Sequence, residues 1–271
     1  MVLNEAELQA LVDDMQSNWR EIGAPRPLHQ PAARRGKKFA GHDAARIASV
    51  WGLARHVYST AAAVSTLIRA NQITAAIPLA RLAYESAITA AWLVQSAEDH
   101  GVRAFLHEYT RTRSSLQKDA LQAASAVFRE GAGTIADADP TAHAGSFDSA
   151  RRFGDICQDL SPAGPDAFII YRLFSGFSHA SPRLADLYFH ALSPAAELPA
   201  YREEPDVPLP ADLLLFFTAA SMLWSARAFS FLTQDKAHRS YLRSCARLLE
   251  ITDELHLSDS YRQRHAKARR S

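Results

Sequence analysis

The chain has 271 residues, 48% apolar and 22% charged, with a net charge of +1. This is ordinary globular composition, and a chain of this length buries enough surface to fold without a disulfide or metal staple. The near-neutral charge argues against a protein organised wholly around nucleic acid, and two cysteines, Cys157 and Cys245, are too few for a disulfide framework.

A reducing, cytoplasmic setting is the expectation that follows from the cysteine usage. The N-terminus has no basic region leading into an apolar core, so no secretory signal is expected. The most lipid-like run, residues 213–226, is fourteen residues long and ends at Arg227. That is short of the ~20 a spanning helix needs, so it is expected to be a core helix, with no membrane involved.

Asn4 is placed to cap a first helix, whose residues Leu8, Leu11, Val12 and Trp19 recur at helical spacing before Gly23. Residues 24–40 hold three prolines and a set of basic residues without an apolar period, and read as a linker. Ile47, Val50, Trp51, Ala54, Val57 and Tyr58 predict a second helix over 43–70. Residues 74–96 are apolar on most of the helical circumference, as in a helix central to a bundle, and Pro78 falls in the first turns.

A more polar helix is predicted over 99–129, then a loop rich in Gly, Ala and Asp over 130–146, and a short helix over 149–160. Residues 166–179 have an apolar side formed by Ile169, Leu173, Phe174 and Phe177. Ser181-Pro182 is a cap and first-turn pair expected to restart the helix as far as 191. A proline-rich connection over 193–210 leads to the all-round apolar helix 211–233 and a last helix, 237–257. The basic tail 258–271 is expected to be solvated.

The expected fold is therefore all-α, a bundle of about six to eight helices with no sheet. Its organisation reads as an N-terminal helix (1–23), a basic linker (24–40), the bundle domain (41–257) and a basic C-terminal tail (258–271).

Two polar groupings stand out. Arg81 and Glu85 lie four residues apart in the apolar 74–96 helix, so their desolvation must be offset. A structural salt bridge is the plainer explanation, since pairs at this spacing are common on helices. In the second, Arg172, Ser175 and His179 share one stripe of a helix. An imidazole and a guanidinium on one face suit metal-free RNA cleavage, the first moving the 2′-hydroxyl proton and the second neutralising the phosphorane.

Three Arg-to-His pairs of this spacing occur, at 35/42, 172/179 and 183/190, a number chance alone supplies. Context therefore singles out 172/179, where Tyr and Ser adjoin the pair on a helix that is otherwise core-like. A hydrogen-bonded core histidine is the plainer reading of His179. No metal or cofactor is expected: the Glu-x-x-His of di-iron bundles is absent, and Glu250, Asp253 and His256 rotate around their helix. Nucleotide, zinc-protease and hydrolase motifs are absent as well.

Arg81-Leu-Ala-Tyr-Glu85 followed by Tyr171-Arg-x-x-Ser175-x-x-x-His179-x-Ser-Pro resembles a family of uncharacterised bacterial helical proteins, over roughly residues 45–235. That resemblance implies an all-α fold and no established activity. More distantly, Arg172-x6-His179 is similar to the Arg-x4–6-His signature of HEPN domains. These are helical metal-independent ribonucleases of toxin–antitoxin and phage-defence systems, commonly with the site at a dimer interface. That resemblance implies Arg172 and His179 as catalytic residues. The residue after the arginine is often polar in that signature and is Leu173 here, which leaves an inactive scaffold as the other form.

Two functional readings follow. The first is a non-catalytic module that binds a small ligand or a partner, with Arg81, Glu85, Arg172 and His179 satisfied among themselves as a buried polar lock. The alternative is a HEPN-like ribonuclease acting on RNA as a homodimer. There Arg172 and His179 are catalytic and Glu85 orients the imidazole or pairs an arginine. Arg81, Tyr171, Ser175 and Ser178 serve binding.

Overall fold

The computed structural model describes residues 3–22, 41–135, 139, 141–162, 164–190, 200–233 and 238–268. The fold is all-α. Helix α1 (Glu5–Ile22) begins at a reciprocal cap. Asn4 Oδ1 accepts from the Glu7 amide at 3.0 Å, and a Glu7 carboxylate oxygen accepts from the Asn4 amide at 2.9 Å. Two otherwise orphaned N–H groups are thereby satisfied.

Helices α2 (Gly41–Arg69), α3 (Ile73–Gln95) and α9 (Ala211–Thr233) pack against one another as the centre of the bundle. Val50, Ala54, Val57, Ala61 and Val64 form the inward stripe of α2, at the alternating three- and four-residue spacing that keeps one helix face apolar. Helix α3 buries fourteen of its residues, including Ala76, Ala80, Ala83, Ala87 and Ala90. Short side chains at those positions let neighbouring backbones approach. Helix α1 lies on α9, and Trp19 stacks on Tyr58 of α2 with ring centroids 4.4 Å apart.

Helix α9 is the one among the described residues long and apolar enough to cross a membrane, over Ala211–Leu232, but 83% of its apolar window is buried in the bundle. It is the core helix expected from the sequence. Its one basic residue, Arg227, is 6% exposed and meets Asp253 at 3.4 Å and Glu254 at 3.1 Å.

Several boundaries differ from expectation. The helix predicted over 99–129 is two: α4 (His100–Leu121) and α5 (Ala126–Gly131). Ser125 adopts an extended conformation between them, and the Arg129 guanidinium binds the freed carbonyls of Ala123 and Ala124, both at 2.6 Å. Helix α6 is confined to Phe153–Gln158, and α7 spans Gly164–Ser178, so His179 falls just beyond the helix end.

Ser181 caps α8 (Pro182–Ala185) as the sequence indicates, but only a 3-10 turn follows, over Asp186–Tyr188. Helix α10 is Arg239–Leu248, ended where Glu250 takes a positive φ of 54°. The described residues hold more helices than the expected six to eight, because α5 separates from α4 and a further helix forms in the expected tail. The expected linker at 24–40 lies outside the described residues.

A small two-stranded pairing was not anticipated. Strands β1 (Leu160–Ser161) and β2 (His256–Leu257) pair antiparallel, too short for any alternating pattern to reveal. They bring the C-terminal segment alongside α3. That segment was expected to be a solvated tail. It forms helix α11 (Asp259–Ala268), which buries Tyr261 and His265 on one face.

The docking of α11 is polar. Asp148, whose side chain is fully buried, receives the Tyr261 hydroxyl at 2.9 Å and faces His265 Nε2 at 2.6 Å. Arg264 makes two parallel bonds to Asp159, at 2.8 and 2.9 Å, and a third to Asp148 at 3.3 Å. Trp92 of α3 donates to Asp159 at 3.1 Å, and the Ala97 amide donates to the Tyr261 hydroxyl at 2.9 Å. Burial pushes the Asp159 carboxyl up, with the Arg264 and Trp92 hydrogen bonds opposing. Removing the central acceptor strands several desolvated donors. Asp148→Ala is expected to cost roughly 3 kcal/mol or more in a denaturant titration, with amide exchange in α11 accelerated most.

Candidate functional site on the third and seventh helices

Helix α7 packs along α3 through its apolar side, where Phe174 meets Phe217 of α9 edge-on at 5.8 Å. Phe177, Ala167 and Phe174 occupy neighbouring angles of the helix and are buried. Their angular position fixes the rest: Tyr171 falls at the seam with α3, and Arg172 falls on the opposite, outward side.

At the seam three expected residues meet. Arg81 Nη2 donates to the Tyr171 hydroxyl at 2.7 Å, and the guanidinium carbon stands 4.6 Å from the Tyr171 ring centre. The same Nη2 lies 3.4 Å from a Glu85 carboxylate oxygen. The Tyr171 ring is itself held between Phe153, at 4.6 Å, and Phe168, at 5.9 Å. Arg81 and Glu85 are partly exposed, with side-chain accessibilities of 17% and 33%. Arg81 Nε is buried without a hydrogen-bond partner.

Burial pushes the Glu85 carboxyl up, and the Arg81 charge offsets part of that. Cys157, buried beside this seam, is pushed up to about 12 by desolvation and then by the Glu85 charge. It is an inert core thiol rather than a nucleophile.

The remaining candidates do not join this group. Arg172 and His179 are both exposed, and neither makes an ion pair or side-chain hydrogen bond among the described residues. The four-residue buried lock expected from the sequence is thus divided: Arg81 and Glu85 belong to the seam, while Arg172 and His179 face outward. Ser175 and Ser178 donate to the carbonyls four residues back, Tyr171 at 2.7 Å and Phe174 at 2.8 Å. Their hydroxyl protons are committed to the helix backbone.

A second guanidinium adjoins the outward face. The Arg183 guanidinium lies 4.2 Å from the Phe177 ring centre. It occupies space over Gly176, where a Cβ would come within 3.0 Å of its Nη1. The glycine is therefore what lets Arg183 cross α7. The sequence reading did not single out Arg183, although the Gly176 to Arg183 spacing is visible in it. Among the described residues no three His, Cys, Asp or Glu side chains group to hold a metal ion.

Over residues 55–136 the chain matches the model of a family of unknown function (DUF6988). That stretch takes in the C-terminal half of α2, all of α3 and the α4–α5 arm, so it includes Arg81 and Glu85 but stops short of α7. No curated protein and no solved structure matches the chain. The uncharacterised-domain reading of the sequence accords with the family match.

Two measurements test the seam. Tyr171→Phe removes one hydrogen bond to a charged group and should cost about 1.5 kcal/mol in a denaturant titration. Glu85 gives the opposite sign with pH. Its carboxyl is raised in the folded state, so its contribution to stability is present below the unfolded value and is lost as pH rises through the folded one. Relative to wild type, Glu85→Gln should therefore gain stability as pH rises above the unfolded carboxyl value of about 4. A difference independent of pH would contradict that assignment.

Proposed function

We propose that the protein is a non-catalytic helical binding module that recognises an anionic partner or ligand through the outward face of α7. Arg172 on that face and His179 just past its end are the contacts, Arg183 adds a second guanidinium, and the Arg81–Tyr171–Glu85 group fixes the rotation of α7. One observation supports this above the others. Arg172 and His179 are exposed without partners, whereas the polar groups at the seam on the same helix are engaged with one another. Charge left unpaired on a rigid element is what an anionic surface can meet without first breaking an internal bond.

The same exposure favours a second reading, metal-independent ribonuclease activity, because both groups are open to a strand. In that reaction the 2′-oxygen, its proton taken by His179, attacks the adjacent phosphorus, Arg172 stabilises the phosphorane, and the P–O5′ bond breaks as the 5′-oxygen leaves with a proton, giving a 2′,3′-cyclic phosphate. Glu85 is occupied with Arg81 at the seam, so the reading stands on Arg172 and His179 alone.

The two are separated by wild type and two variants. The Arg172→Ala/His179→Ala variant should elute from a heparin column at lower salt than wild type, with an unchanged melting temperature. Equal elution would sink the binding reading. Single-stranded RNA incubated with wild type in excess chelator should remain intact. Cleavage that His179→Ala abolishes would replace the first reading with the second.

A further inference from the structure

A second cationic site lies on α4. A cavity of about 280 Å³ opens between α4, where Ala104, His107, Glu108 and Arg111 form its floor, and the loop 143–151, which supplies His143, Ser149 and Arg151. Its size is at the lower end of the ~300–1,000 Å³ usual for small-molecule sites. The loop is pinned in place at several points. His107 Nδ1 lies 3.0 Å from the Ala142 carbonyl, Arg103 donates to the Ala144 carbonyl, and the Ser146 hydroxyl donates to the His100 carbonyl at 2.8 Å.

The two acids in the wall are already committed. Glu108 receives Arg111 through both carboxylate oxygens, Nε at 2.8 Å among the contacts, and is held below the usual carboxylate range. The Arg111 hydrogen bond is the largest cause, and the charges of Arg111, Arg151 and His107 act in the same direction. Asp148 faces inward to Tyr261, Arg264 and His265. Arg151 and His143, by contrast, are exposed and make no ion pair or side-chain hydrogen bond among the described residues. The amides of Ser149 and Ala150 are also without partners there.

We propose that this cavity binds a small molecule bearing a phosphate monoester. Arg151 and the Ser149 and Ala150 amides meet its oxygens, His143 lies at the mouth, and Arg111 is held in position by Glu108. A doubly charged phosphate takes several charge-assisted donors at once, and the wall offers them from two elements without an acid left free to repel it.

Calorimetric titration of the full chain at low salt tests this with inorganic phosphate, 5′-AMP and adenosine. Phosphate and 5′-AMP should bind and adenosine should not. Arg151→Ala, an exposed position whose loss leaves the core intact, should weaken binding about tenfold or more. Arg151→Lys should restore part of it. Wild-type affinity for both phosphates weaker than about 1 mM would overturn the proposal. So would equal binding by the Arg151→Ala/His143→Ala double variant. Co-sedimentation with phosphatidic acid vesicles separates the two sources of the group. Vesicle binding lost in Arg151→Ala, without binding of the free phosphates, would assign the site to a lipid headgroup and overturn the small-molecule assignment.

Discussion

The constraint on which the structure depends is that α3 is buried around nearly its whole circumference. Such a helix keeps little solvent side, so other elements must cover most of its angles. Helices α2 and α9 take two long sectors, α7 takes a third, and the strand pair with α11 closes the end near Trp92. Alanine recurs along α3 because these neighbours approach closely, and the larger residues, Tyr84 and Trp92, fill the places where they diverge. The order of packing follows from one apolar sequence. Elements distant in the chain are brought together because each covers part of the same cylinder.

Charged groups at the edge of that core obey one rule in three places. Arg227 in α9 meets Asp253 and Glu254, Arg81 in α3 meets Tyr171 and Glu85, and Asp148 and Asp159 meet Arg264, His265, Tyr261 and Trp92. Each partner comes from another helix or from a loop, except Glu85, one turn further along α3. A charge removed from water needs an opposite charge and hydrogen bonds, and each group has both, although Arg81 Nε is left without a hydrogen-bond partner. These clusters consequently cross-link the periphery to the centre, and α11 is the clearest case. Its sequence is too polar to dock through apolar area, so it docks through a carboxylate buried in a loop.

The legible parts of the sequence were those with a long, uninterrupted period. The bounds of α9 are those expected, and α2 and α3 differ by one or two residues, because an apolar stripe over six turns tolerates little displacement. Short helices and breaks were less visible. The break at Ser125 depends on Arg129 binding carbonyls, which no pattern encodes. The pairing of Arg81 with Glu85 was indicated by charges on an apolar helix, yet the Arg81–Tyr171 contact and the outward direction of Arg172 and His179 were not. Their direction follows from which angle of α7 carries Phe174 and Phe177. The tail misled most, since Tyr261 and His265 recur one turn apart with Arg264 beside them, an amphipathic signal masked by its basic neighbours.

A division of labour within single helices explains where unpaired charge is found. In α7 the apolar side anchors the helix, the seam residues set its rotation, and both serines return their protons to the backbone, so the outward angle is left without internal demands. In α4 the inward turn at Gly101, Val102 and Ala104 anchors the helix, and the outer stripe of His107, Glu108 and Arg111 faces a loop. That loop is held from behind by the C-terminal helix, because Asp148 belongs at once to the cavity wall and to the α11 cluster. Its carboxylate is turned inward by Tyr261 and His265 and so contributes little repulsion to the cavity. The electrostatic character of the α4 surface therefore depends on a helix that does not touch the floor of the cavity, and the polar docking of α11 positions that wall as well as stabilising the fold.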